Sequence, residues 1–165
     1  MDMLHLKQIL SILVLLLHWA CAAQPCFSEK ELQNKADQKF RSHYPQPHEP
    51  PVAPNPGHCP VEWFSQSPRD TSTSNRSLSP WIYESKQMAD HFPFTYVQAK
   101  CLCDGCIQFN KDGPFQNHIF NSVAVYQSRI FLKREPCKYN STYRLTPVAE
   151  NVAVACTCVN PKRVS

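Results

Sequence analysis

The cysteines are the residues in this sequence whose type and spacing could do chemistry. Nine occur in 165 residues, and two groups are tight: CLCDGC at residues 101–106 and CTC at residues 156–158. Thiols at these spacings could form disulfides, hold a zinc ion between C-x-x-C and C-x-C, or exchange disulfides at Cys103 and Cys106. The redox compartment decides among these chemistries, because disulfides persist where the environment is oxidising.

The amino terminus predicts export into such a compartment. Lys7 and the free amino group precede an apolar run at residues 9–19, and small residues follow at 21–23, which is the pattern of a signal peptide. A membrane anchor is the alternative, but a spanning helix needs about 20 apolar residues. We therefore expect residues 1–23 to be a cleaved signal peptide and the protein to be secreted and extracellular, with no membrane association.

Cleavage after Ala23 removes Cys21 and leaves an even number of cysteines. An even set in an exported chain favours disulfides over a zinc site or redox catalysis, so we expect no metal and no cofactor. Spacing alone leaves the partners open, since this many cysteines allow more than a hundred pairings. The cysteines expected in disulfides are Cys26, Cys59, Cys101, Cys103, Cys106, Cys137, Cys156 and Cys158.

Two acceptor triplets for N-linked glycans agree with export. NRS at residues 75–77 and NST at residues 140–142 both fit the Asn-x-Ser/Thr pattern. We therefore predict glycosylation of Asn75 and Asn140.

The elements that must position the cysteines are strands. Residues 95–103 and 151–159 alternate between two faces, and residues 120–134 are rich in strand-forming side chains. Turns are predicted at Asp104-Gly105 and Asp112-Gly113. The fold class predicted is therefore a small, disulfide-rich all-β domain, elongated and antiparallel, spanning residues 76–161, with a C-terminal tail at 162–165.

Cysteines two apart on a strand point to the same side, so bonds between neighbouring strands are sterically natural. A bond closing the 55 residues between Cys101 and Cys156 would stabilise by roughly 4 kcal/mol on the chain-entropy model. A thin β ribbon buries little apolar surface and needs such bonds more than a compact domain does.

Residues 24–75 form an N-terminal extension of different character. Leu32, Ala36 and Phe40 recur at helical spacing and predict a short helix over residues 29–40. Residues 45–60 contain seven prolines, which exclude a helix or a central strand and predict an extended proline-rich arm. This arm could wrap a partner or serve as a plain spacer.

Composition excludes several classes of function. The three glycines are dispersed, so no phosphate-cradling loop exists, and neither H-E-x-x-H nor G-x-S-x-G occurs. The histidines are scattered without a paired nucleophile or carboxylate, so we expect no enzyme and assign no catalytic residue. A net charge of +4 is too mild to indicate nucleic-acid binding.

Five segments in order resemble the interleukin-17 cytokine family, and within it the branch of interleukin-17C. They are NRSLSPW (75–81), AKCLCDGCI (99–107), NSV (121–123), LKREPC (132–137) and CTCV (156–159). The resemblance covers about residues 57–162, most of the mature chain.

The resemblance implies a cystine-knot-like β dimer that keeps two of the three knot disulfides. Matched by position, the implied knot pairs are Cys101 with Cys156 and Cys106 with Cys158. Ser79 and Ser122 fall near the place of the missing third disulfide.

The other four cysteines are less determined by the resemblance. Cys59 and Cys137 match the pair that links one protomer to the other in relatives. Cys26 and Cys103 are left over and could bond each other, within or between chains.

The resemblance also implies a function in receptor binding. A disulfide-linked homodimer would bind interleukin-17 receptor ectodomains and bring them together, with receptor A and receptor E as the suspected pair on epithelial cells. Inflammatory and antimicrobial responses would follow. Trp81, Tyr83, Phe94 and Tyr126 are the candidate receptor-binding residues, and burial in the core or dimer interface is the alternative for each.

Two other classes stay open at this point. A secreted cystine-knot antagonist could use the same scaffold to sequester a growth factor without signalling. A disulfide-rich enzyme or protease inhibitor is the other. Activation of epithelial cells by the purified dimer separates the first from a cytokine, and a protease panel tests the second.

Overall fold

The computed structural model describes residues 25–65, 72–138 and 141–161. The predicted signal peptide, Asn140 and the C-terminal tail lie outside these residues. The elements in chain order are β1 (Phe27–Ser28), α1 (Glu29–Ser42), a 3-10 turn (Val61–Phe64), α2 (Thr73–Arg76), β2 (Trp81–Gln87), β3 (His91–Phe92), β4 (Thr95–Cys101), β5 (Gly105–Asn110), β6 (Gly113–Pro136) and β7 (Thr142–Val159).

The two longest strands, β6 and β7, form an antiparallel ribbon that organises the molecule. Their register runs from Asn121↔Val159 to Pro136↔Tyr143. β1 pairs with the start of β7, and β3 and β5 pair with β6, giving one sheet. β2 and β4 form a separate antiparallel pair from Trp81↔Cys101 to Gln87↔Thr95. The predicted small, disulfide-rich all-β fold is confirmed.

The predicted helix is also confirmed, and it extends to Ser42. It begins where the backbone amide of Ser28 donates to the Glu31 carboxylate at 3.0 Å, which satisfies a free amide of the first turn. The Ser28 hydroxyl donates to the same carboxylate at 2.6 Å, and this bond, followed by that from the backbone amide, lowers the pKa of Glu31. Leu32 and Ala36 are buried, so the helix packs one face onto the sheet.

Two apolar clusters divide the core along the ribbon. The first joins the helix to the sheet and contains Leu32, Ala36, Phe92, Leu132 and Leu145. The second lies where β2 and β4 meet β7 and contains Trp81, Ala99, Ala153 and Cys156. The N-terminal extension therefore contributes directly to the packing of the β domain.

Leu32→Ala is expected to lower the free energy of unfolding by about 2–5 kcal/mol, because it empties a buried site between helix and sheet. Leu32 is 1% exposed, so its side chain is fully enclosed by the helix and the sheet. Chemical denaturation of the oxidised protein measures the loss. Lys30→Ala, on the exposed side of the same helix, is the control and should change stability by less than about 0.5 kcal/mol. Equal stability of the two variants would contradict the packing.

Candidate functional site

Three disulfides meet in one six-residue segment, residues 101–106. Cys101 bonds Cys156 with a Cα–Cα distance of 5.7 Å, and Cys106 bonds Cys158 at 5.9 Å. Cys103, in the turn between β4 and β5, bonds Cys59 at 4.6 Å. These distances lie within the range that disulfides span without moving the backbone. The segment therefore connects β4, β5, β7 and the proline-rich arm covalently.

A fourth disulfide lies at the other end of the ribbon. Cys26 bonds Cys137 with a Cα–Cα distance of 6.5 Å. Cys26 directly precedes β1, and Cys137 directly follows β6. Both β1 and the end of β6 pair with the start of β7 at Tyr143, so the two cysteines lie close together. This bond attaches the start of the N-terminal extension to the sheet.

These pairings agree in part with those that the family resemblance implied. The structure contains both implied knot pairs, Cys101–Cys156 and Cys106–Cys158. It differs at the other four cysteines, because the proline-rich arm brings Cys59 to Cys103 and β1 brings Cys26 to Cys137.

Within one chain Cys59 and Cys137 therefore have partners other than each other, and Cys26 and Cys103, whose pairing the resemblance left open, do not bond each other. Every cysteine of the described residues is bonded within its own chain. The expected disulfide link between two protomers stays a prediction.

Ser79 and Ser122 lie side by side, as their match to the missing knot disulfide suggested. Their hydroxyl groups form a hydrogen bond, and Ser79 is fully buried. Ser122 stands opposite Cys158 in the β6–β7 register. A hydrogen bond therefore joins β6 to the segment before β2 beside the Cys106–Cys158 disulfide.

The proline-rich arm lies on its own sheet. Glu49 forms an ion pair with Arg129 of β6 at 2.6 Å, and its carboxylate accepts a hydrogen bond from the backbone amide of Val97. Arg129 also donates to the side-chain oxygen of Gln46 at 2.7 Å. The Arg129 side chain is only 9% exposed, so its charge depends on these partners.

Farther along, the arm makes backbone contacts with β2. The amide of Ala53 donates to the carbonyl of Tyr83 at 3.2 Å. Between arm and sheet lies an open cavity of about 570 Å³, lined on the sheet side by Tyr83, Val97, Arg129 and Val152. Local sequence gave no signal for the Glu49–Arg129 contact, because the two residues are far apart in the chain.

Arg129→Gln is expected to loosen the arm, because it leaves the Glu49 carboxylate without its cationic partner. The opening free energy of the arm should fall by about 1–3 kcal/mol. Hydrogen exchange at the amides of Val97 and Ala53, which contact Glu49 and Tyr83, measures the change. Lys133→Gln, an exposed substitution on the same strand, is the control and should leave both rates unchanged. Unchanged exchange in Arg129→Gln would contradict the role of this ion pair.

The four candidate receptor-binding residues differ in their exposure. Trp81 is 6% exposed and packs in the second apolar cluster. Burial in the core was the alternative to receptor contact for this residue. Tyr83 is half-buried, and its hydroxyl donates to the carbonyl of Val154 at 3.2 Å. Tyr126 is 63% exposed, whereas Phe94 is exposed beside Phe92, with ring centroids 4.4 Å apart. Tyr126 and Phe94 are thus accessible in this chain, and Trp81 is not.

The basic pair Lys133-Arg134 is partly neutralised. Arg134 forms ion pairs with Asp90 at 2.6 Å and Glu29 at 2.7 Å, and its guanidinium lies over the ring of Tyr143. The hydrogen bond to Asp90 is the main cause that raises the pKa of Arg134. This residue therefore ties α1 and the loop before β3 to the ribbon.

The described residues contain neither a cluster of metal ligands nor a helix that could span a membrane. No three His, Cys, Asp or Glu side chains of residues 25–65, 72–138 and 141–161 come together as metal ligands. Within the same residues, no helix has the length and apolar character to cross a bilayer. Asn75, in α2, is partly exposed.

The β domain is similar in sequence to known proteins. Residues 77–160 match the family model described as Interleukin-17. Interleukin-17F of Rattus norvegicus is 35% identical over 119 residues, covering 68% of this chain and 68% of that protein. Interleukin-17C of Mus musculus is 34% identical over 122 residues, covering 70% and 60%. Interleukin-17A of Bos taurus is 36% identical over 101 residues, covering 61% and 63%.

Proposed function

Because this chain belongs to the interleukin-17 family, we propose that it is a secreted cytokine whose homodimer binds cell-surface receptor ectodomains and brings them together. The observation that carries this proposal is the family match over residues 77–160. That span contains β2 to β7 and the two disulfides between the 101–106 segment and β7. The comparisons do not favour the growth-factor antagonist.

A two-fold dimer has the geometry for this activity. Every surface patch occurs twice and is related by the symmetry axis, so one dimer can hold two receptor chains at a fixed separation. The disulfides keep the surface of each protomer in a fixed shape, because they hold the strands that carry it. The exposed aromatic side chains of Tyr126 and Phe94 are the receptor contacts we propose, since large aromatic residues often dominate interface energies.

The receptors proposed are members of the interleukin-17 receptor family, with receptor A and receptor E as the pair. Interleukin-17C is as similar to this chain as interleukin-17F and interleukin-17A are, and the choice rests on the early Cys26 and the ending CTCVNP at residues 156–161. The responding cells would be epithelial, and the response would be expression of inflammatory and antimicrobial genes. We also propose that Asn75 and Asn140 carry N-linked glycans, as expected of a secreted protein.

The test uses the protein secreted from mammalian cells in its oxidised form. Immobilised ectodomains of receptor A and receptor E are each exposed to it, and an epithelial reporter line measures signalling. We expect saturable binding and a dose-dependent response. The same protein after reduction and alkylation is the control and should lose both. Binding to neither ectodomain and to no other receptor of the family would contradict the proposal.

A further inference from the structure

The four disulfides differ in how far solvent reaches their sulfur atoms. Three of them include a cysteine that is almost fully buried: Cys103 and Cys156 are 5% exposed, and Cys106 is 2% exposed. The fourth bond has no such member, because Cys137 is half-buried and Cys26 is the only exposed cysteine among the described residues. A thiolate must reach a sulfur atom in order to attack it. Access therefore favours thiol–disulfide exchange at the Cys26–Cys137 bond.

This bond also lies apart from the other three. Those three meet at the 101–106 segment and join it to β7 and to the proline-rich arm. Cys26–Cys137 lies at the opposite end of the ribbon, where β1 and the end of β6 meet the start of β7. Opening it therefore leaves the covalent connections of β4, β5 and β7 in place.

The charges around Cys26 permit the approach of an anion. Cys26 lies three residues before the first residue of α1, Glu29, and a helix N-terminus stabilises a nearby thiolate. Two carboxylates occupy the first turn of α1. Glu29 is paired with Arg134 at 2.7 Å, and Glu31 accepts hydrogen bonds from Ser28. Both carboxylates are thus engaged by their own partners.

We propose that the Cys26–Cys137 bond is a modification site for a dithiol oxidoreductase, an enzyme with a C-x-x-C pair of thiols. Its reduction loosens β1 and the first turn of α1, while the other three disulfides stay closed. The inference goes beyond the proposed function and does not depend on it, since neither receptor binding nor a homodimer requires this exchange.

The exchange proceeds in two balanced steps. A thiolate of the oxidoreductase attacks the sulfur of Cys26, the bond to Cys137 breaks, and the Cys137 sulfur leaves with the electron pair and takes up a proton. Lys138 directly follows Cys137 and is exposed, so a positive charge lies close to the leaving thiolate. The second thiolate of the oxidoreductase then attacks the mixed disulfide and frees Cys26, which is protonated in turn. The protein gains two electrons and two protons, and the oxidoreductase becomes a disulfide.

Few contacts hold the start of the N-terminal extension once this bond is open. β1 has only two residues paired with β7. The ion pair between Glu29 and Arg134 remains, but exposed ion pairs add little. The stronger contacts of α1 lie farther along it: Leu32 and Ala36 are buried, and Lys39 donates to a backbone carbonyl of β7 at 2.9 Å. We therefore expect β1 and the first turn to open and the rest of α1 to stay packed.

Timed alkylation tests the selectivity of the exchange. The secreted, oxidised protein is treated with thioredoxin, thioredoxin reductase and NADPH, and free thiols are alkylated at intervals and mapped by peptide mass. Cys26 and Cys137 should be labelled on the order of 10-fold faster than any other cysteine, because access limits the exchange. Equal rates at all four bonds, or earlier labelling of Cys59 and Cys103, would overturn the inference. A protein that thioredoxin leaves fully oxidised would do the same.

A small dithiol provides the control for the role of the fold. Dithiothreitol should reduce the four bonds of the native protein in the same order as thioredoxin does. In guanidinium, where every sulfur atom is accessible, the order should disappear. If Cys26 and Cys137 still reacted first in guanidinium, the selectivity would not come from burial, and the inference would fail.

Hydrogen exchange tests the structural consequence. In the selectively reduced and alkylated protein, amides of β1 and of the first turn of α1 should exchange at least about 10-fold faster. Amides at Phe131 and Leu132, in the core of β6, should keep their rates. The double variant Cys26→Ser with Cys137→Ser should show the same pattern without any reductant, and the reduced wild-type protein decides alone if this variant is not secreted. Unchanged exchange at β1, or equally faster exchange along the whole chain, would overturn the local release.

Discussion

Replacing both Cys101 and Cys156 with serine is expected to lower the free energy of unfolding by about 4 kcal/mol. The chain-entropy model gives this value because the bond spans 55 residues. Cys156 also belongs to the buried cluster around Trp81, where a serine hydroxyl needs a hydrogen-bond partner that a sulfur does not. Domains are stable by only about 5–15 kcal/mol, so we expect secretion of the folded protein to drop severely. Secreted yield and guanidinium unfolding measure the effect.

The comparison variant is Cys26→Ser with Cys137→Ser. This bond spans 111 residues, for which chain entropy alone gives about 5 kcal/mol, but Cys26 is exposed. A larger loss at Cys101 and Cys156 than at this pair would show that burial adds to the entropic effect. A loss below about 1 kcal/mol at Cys101 and Cys156 would contradict a framework held by disulfides.

Gly105→Ala is expected to destabilise the protein by about 3 kcal/mol or more. An added Cβ would lie inside van der Waals contact with the backbone oxygen of Asn117 and 2.9 Å from its carbonyl carbon. Both atoms belong to β6, which pairs with β5 beside a register shift at Gly105 and Cys106. The strand cannot move aside without disturbing the Cys106–Cys158 bond. Calorimetric melting of the oxidised protein measures the loss.

Gly57→Ala is the matched control for this prediction. Gly57 has a φ of +80°, and an added Cβ would have nothing within 4 Å. Gly57→Ala should lower the free energy of unfolding by about 1–2 kcal/mol, because alanine is strained in the left-handed backbone conformation. Equal melting temperatures of the two variants would show that β5 and β6 can separate to admit a methyl group.

The strands and the helix could be predicted because their signals are local. Residues 95–103 and 151–159 alternate every second residue, and the structure places β4 (Thr95–Cys101) and the end of β7 (Thr142–Val159) there. The helix of Leu32 and Ala36 followed from spacing in the same way. Each pattern needs only its own segment and one apolar side to pack against.

The path of the N-terminal extension could not be predicted, because it depends on contacts between distant residues. Proline excludes helix for the arm but does not set its direction, so the Cys59–Cys103 bond has no local signature. The same holds for Glu49 and Arg129, which meet only after the arm has docked. Trp81 had two equivalent interpretations, since strand aromatics occur both in cores and in interfaces.

The extension is anchored at both of its ends, by Cys26 to Cys137 and by Cys59 to Cys103. An extracellular protease that cut the proline-rich arm once would therefore release no fragment. The segment with the helix would stay joined to the strands through the Cys26–Cys137 bond, and the segment after the cut is joined to them by the peptide chain itself. Such a nicked molecule would keep its full mass until a reductant separated the pieces.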